Sequence, residues 1–133
     1  MIDTRFAVGL EQGPDGSILA HSLTLPGCTA FGATAEAAVA AFHGALREWL
    51  AFMAAAGEAV PARDAELEVA VDEWVSSDRD VAAGESDACF AADLPALTAA
   101  EIDRGLRTLG DLRGRLLAGV RRQPPRGAGR GDG

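Results

Sequence analysis

Leu23–Thr24–Leu25–Pro26–Gly27–Cys28–Thr29–Ala30–Phe31–Gly32–Ala33–Thr34 is the stretch from which the fold reads outward. Pro26 has no ladder donor and Gly27 opens backbone angles closed to other residues, so an extended run must bend there. Cys28 to Phe31 is short and apolar, as a third antiparallel strand would be. Gly32 then releases the chain, and Thr34 stands where a side-chain oxygen can cap a helix.

Upstream, Phe6, Val8 and Leu10 alternate with Ala7, Gly9 and Glu11, the period of a half-buried strand. Gly13–Pro14–Asp15–Gly16 supplies a turn. The run Ser17 to Leu25 is the return strand, with Leu19, His21, Leu23 and Leu25 forming its apolar side. No second His, Cys or carboxylate stands beside His21 at metal-ligand spacing, so it reads as a core or edge histidine.

Downstream, Val39, Phe42, Leu46, Trp49, Leu50 and Met53 recur at three- and four-residue steps, which predicts a helix from Ala35 to Ala56 with one apolar stripe. Glu36 suits its first turn, Gly57 its left-handed C-terminal cap, and Pro61 prevents continuation. Leu67, Val69 and Val71 then alternate with Glu66, Glu68 and Asp72 as a fourth strand that Trp74–Val75 extends, and Asp87 to Ala91 reads as a short fifth. The expected class is α+β: an antiparallel β-β-β-α-β sheet over residues 1–92, covered by one long helix. Pro26, Gly27, Thr34 and Gly57 serve it as structural turn and cap residues.

Past residue 92 the character changes. Residues 93–122 are read as a C-terminal amphipathic helix, opened by the capping box Thr98 to Glu101. Ile102, Leu106, Leu109, Leu116 and Val120 fall four, three, seven and four residues apart, interrupted at Arg113 and widened by Leu112 and Leu117. Glycines at 105, 110, 114 and 119 each weaken a helix by roughly 1 kcal/mol relative to Ala. Such a helix needs a docking surface on its own domain or on another subunit, and these five apolar residues are its candidate interaction face. Residues 123–133, made mostly of Arg, Gly and Pro, are expected to be a disordered tail that resembles RNA-binding tails in composition alone.

Composition excludes several classes. The formal net charge is −8, unevenly spread: residues 1–97 carry sixteen acidic and four basic groups, and 98–133 carry four acidic and eight basic. An acidic body argues against direct DNA binding, which requires clustered positive charge. Cys28 and Cys89 form no Cys-x-x-Cys pair and read as small buried hydrophobes. No signal peptide and no apolar stretch near twenty residues is evident, so a cytoplasmic protein without membrane contact is expected. Glu66, Glu68, Asp72 and Glu73 invite a divalent-metal reading, but alternate acids on an exposed strand more simply form a solvated edge. No catalytic, cofactor or metal site emerges.

The order β-β-β-α-β, with Leu25–Pro26–Gly27–Cys28, the helix start Gly32-x-Thr34 and the helix exit Gly57–Glu58–Ala59–Val60–Pro61, resembles the HicB-like antitoxin-type family over residues 6–75. The resemblance implies a fold related to a partial double-stranded-RNA-binding domain and a role in neutralising a HicA-like RNase toxin. The DNA-binding segment that full antitoxins often add is not evident. Phe90 to Val120 looks instead like the linker and first helix of HicB–DinB-like fusion proteins, and with no His after His43 a complete metal-binding bundle is excluded. The sequence therefore supports a noncatalytic, homo-oligomeric interaction module. Its alternatives are a metal-dependent hydrolase in which Asp72 and Glu73 meet a third acid, or a truncated regulatory part of a DinB-like fusion.

Overall fold

The alternation in the first strand sorts its side chains onto two faces, and both faces are put to use. A computed structural model describes residues 2–25 and 27–122. Strand β1 (Arg5–Gln12) pairs antiparallel with β2 (Ile18–Ser22), which pairs antiparallel with β3 (Thr29–Gly32). Helix α1 (Ala35–Ala55) follows, and β4 (Glu68–Ser76) returns to the far side of β1, giving a mixed α+β sheet of order β3-β2-β1-β4. The chain divides into two units, residues 1–96 and residues 97–133, the second built on helix α2 (Ala99–Arg122).

The sheet is not purely antiparallel as expected, because β4 runs parallel to β1. The reason is the crossover. Two hairpin reversals leave β3 running in the direction of β1, and α1 then carries the chain back so that the next strand repeats that direction. Arg47 of α1 fastens the returning link by donating to the carbonyls of Arg63 at 3.1 Å and Ala65 at 2.8 Å.

Phe6, Val8 and Leu10 of β1 bury against Phe42, Leu46 and Leu50 of α1, together with Ile18, Ala20, Cys28 and Ala38. Each fully buried large side chain in this core contributes roughly 1.5–3 kcal/mol. In β2 the face under α1 is Ile18 and Ala20, both buried, while Leu19 and His21 lie on the opposite face. This corrects the assignment of Leu19 and His21 to the core side: the run of leucines outweighs Ile18 in count, but register with β1 decides which face meets the helix, whereas Leu25, past the end of β2, does pack against the core as expected. Strand β2 ends at Ser22, well before Leu25.

The cap and turn residues act as the pattern predicts. Thr34 Oγ1 accepts from the N–H of Ala37 at 3.1 Å, and Gly27 and Gly57 hold φ of 94° and 85°. Pro26 and the tail 123–133 lie outside the described residues. Gly32 has a separate reason to be glycine: a Cβ there would run into the backbone of Ala37 and Ala38, so β3 and the first turn of α1 can touch only because it is absent.

The segment expected to hold a fifth strand does something else. Residues 77–93 contain two single 3₁₀ turns, Val81–Ala83 and Ala91–Asp93, and fold across the second face of the sheet. Val81 and Phe90 are buried there. A Cβ at Gly9 would stand 2.5 Å from Phe90 Cε1, so Phe90 packs directly on β1 backbone instead of pairing as a strand. A side chain used as a plug leaves its own backbone no ladder to join.

Candidate interaction surfaces

The sheet is open at both edges, and at β4 the opening is also apolar. Helix α1 lies over β3 and β2. The helix-side residues of β4, in register with Val8 and Leu10, are Val71 and Trp74, which stay 45% and 54% exposed. They line a groove of about 530 Å³ with Leu10, Ala35, Val39 and His43. Asp72 is the extra residue of a bulge between the Val8–Val71 and Gly9–Glu73 pairs, and this is what keeps both Val71 and Trp74 on one face although they stand three positions apart. The outer edge of β4 carries unpaired ladder groups beside exposed apolar side chains, a combination suited to receiving another chain.

Among the described residues, the one buried charged side chain lies on the second face. Glu11 is 0% exposed, and its Oε1 accepts from Ser86 Oγ at 2.6 Å while Oε2 accepts from the N–H of Asp87 at 3.2 Å. His21 Nε2 lies 3.0 Å from Oε1 and, facing an acceptor, must be the protonated nitrogen. Burial alone would raise this carboxyl, but the hydrogen bonds from Ser86, His21 and the Asp87 N–H outweigh it and hold the group below its ordinary value. Ser77 Oγ donates to Asp87 Oδ1 at 2.8 Å, and the His21 ring sits 5.5 Å from that of Phe90. Ser86 and His21 meet the same glutamate oxygen rather than each other, so the serine proton is spent on the carboxylate and no nucleophile–base pair forms. Chemically the cluster is a clasp that ties residues 77–90 onto β1.

The acids of β4 are dispersed. Glu73 receives the N–H of Ala91 on both oxygens, at 2.9 and 3.0 Å, Glu68 Oε1 lies 3.8 Å from Arg5, and Asp72 sits exposed in the bulge. Asp72 and Glu73 therefore do not converge with a third acid, and among the described residues no group of three or more His, Cys, Asp or Glu could hold a metal ion. The two cysteines differ. Cys28 is buried and its thiol is pushed up to about 11 by burial, which makes it unreactive at neutral pH, whereas Cys89 is exposed and not the buried hydrophobe expected.

Helix α2 is the second surface. Its capping box closes in both directions: Thr98 N–H donates to Glu101 Oε2 at 2.8 Å and Glu101 N–H to Thr98 Oγ1 at 3.2 Å. Ile102, Leu106, Leu109, Leu116 and Val120 all fall on it as the spacing predicts, and no residue of α2 is buried. Among the described residues no helix is long and apolar enough to cross a membrane.

Sequence reasoning identified the α2 face but missed Glu11, Phe90 and the Val71–Trp74 groove. A Glu in a strand beside Ala7 and Gly9 reads as solvent-facing, and only the small size of those two neighbours hints that something packs over them. The Val71–Trp74 pair was hidden by the bulge, which breaks the period of two. In comparisons with protein families, with curated proteins and with solved structures, nothing matches the chain.

Proposed function

We propose that this chain is a noncatalytic, HicB-like protein-interaction module of the cytoplasm, a divergent antitoxin component that self-associates through its sheet edge, its C-terminal helix or both. The observation that carries the reading is the face of α2: five large apolar side chains at helical spacing, every one exposed, on a helix that buries nothing. An exposed apolar stripe of this kind, broken only at Arg113, marks a site of association. The open β4 edge with Val71 and Trp74 supports the same reading from the other unit. The polar groups of that unit are spent on folding: buried Glu11 is satisfied by His21, Ser86 and Asp87, and Glu73 holds Ala91.

Light scattering tests the proposal directly. The full chain is expected to be a dimer or larger, and deletion of residues 98–133 is expected to reduce its mass; a monomer unaffected by that deletion refutes the module. The acidic excess of residues 1–97 complements a small basic RNase of the HicA-like kind, so copurification with such a protein tests the antitoxin role.

A further inference from the structure

We infer that α2 pairs with the α2 of a second copy of this chain, and that the two helices run antiparallel. The inference rests on the self-association proposed above and names its geometry. Counting Arg113 with the apolar stripe, the positions Ile102, Leu106, Leu109, Arg113, Leu116 and Val120 are spaced four, three, four, three and four residues apart. That is the a/d repeat of a two-helix coil. The spacing reads the same from either end, so a two-fold axis across the helix at residue 111 maps the stripe onto itself.

Charge decides the orientation. In a parallel pair in register, Arg113 would face its own copy at the centre of the seam. In the antiparallel pair, Arg113 lies opposite the partner's Leu109, from which its long side chain can reach solvent. Leu106 then meets the partner's Leu116, and Ile102 the partner's Val120. Asp103 falls on the same flank as the partner's Arg121, and the acidic first turn with Glu101 lies against the basic last turn of the other helix. The helix dipoles also oppose each other favourably.

The glycines fit the same axis. Gly110 lies on one flank opposite the partner's Gly110, and Gly105 on the other opposite the partner's Gly119. Beyond the adjacent residues and the backbone of its own helix, none of the three has an atom within 4 Å of a Cβ position in the single chain. Residues that weaken an isolated helix thus clear the two flanks of a paired one, where they let the backbones approach.

The test uses the full chain in sedimentation velocity at micromolar concentration. Asp103→Arg and Arg121→Asp are each expected to weaken the dimer by roughly tenfold, since the pair occurs twice and each reversal creates repulsion. The double variant is expected to return to within about threefold of the parent. In a Cys89→Ser background, oxidising a mixture of chains carrying Ile102→Cys and chains carrying Val120→Cys is expected to yield the mixed cross-link. Same-position cross-links, or a double variant no better than either single one, overturn the antiparallel pairing. A dimer that survives Leu109→Asp with Leu116→Asp overturns pairing by α2 while leaving association through the sheet edge standing; a monomeric parent chain overturns both.

Discussion

Helices α1 and α2 carry the same kind of message and receive different answers. Both start at a threonine cap and both place large apolar residues every three or four positions. The local signals favour α2, whose capping box is complete where α1 has Ala37 in place of the reciprocal Glu. Yet α1 buries Phe42, Leu46, Leu50 and Met53, and α2 buries nothing. A helix stripe states that a partner is needed and leaves open which one. For α1 the partner is a sheet three residues upstream, reached at almost no entropic cost; α2 follows a turn-rich segment, and its stripe residues are exposed.

The contrast can be broken most severely at the helix–sheet core. Phe42→Ala is expected to destabilise the chain by about 3–5 kcal/mol in urea unfolding, while Leu109→Ala in a dilute sample shifts it by less than about 0.5 kcal/mol. Equal losses at the two positions would mean that α2 is packed after all.

A smaller effect is expected where backbone, rather than side chain, makes the contact. Gly9→Val must displace the Phe90 ring, and a cost of about 1–3 kcal/mol is expected. Amide exchange should show it as faster exchange across residues 77–90 with α1 unchanged.

The clasp on the second face predicts a pH dependence of stability. Because the folded carboxyl of Glu11 titrates below its ordinary value of 4.5, its stabilisation is fully present above that value and is lost as pH falls through the lowered folded one. Urea unfolding between pH 6 and pH 3 should therefore weaken toward acid. Glu11→Gln is expected to cost roughly 1–3 kcal/mol near pH 6 and to flatten part of that acid slope.

The gentlest comparison is between the caps. Thr34→Ala and Thr98→Ala each remove a hydrogen bond worth about 1 kcal/mol of helix stability. Global unfolding is expected to register only the first, because α1 belongs to the core; circular dichroism of the dilute protein is expected to register fraying from the second.

Much of this arrangement was legible beforehand for reasons that can be named. Thr34, Gly57 and Thr98 act through neighbours within three or four residues, so their roles were written locally and match the structure. The stripe of α1 is legible because a period of 3.6 persists over 21 residues. The face of β2 was misread because one strand of five residues offers too few repeats to choose a side, and the choice falls to register with β1. Phe90 was read as strand because apolar residues near a cysteine look alike whether they pair through backbone or plug through side chain.

What the sequence determined by itself, then, is each element that closes on itself: the strand–turn–strand start, the two capped helices, the breaks at Gly32 and Gly57, and the acidic cast of the body. What only the tertiary structure decided is everything set by residues far apart in the chain. The parallel seating of β4, the bulge that turns Val71 and Trp74 to one face, and the burial of Glu11 under Ser86 and Asp87, 75 and 76 residues away, belong to that group. Local hydrogen bonds and periodicity act over one helical turn or one strand pair, whereas burial of a charge is decided by whichever distant segment supplies the donors.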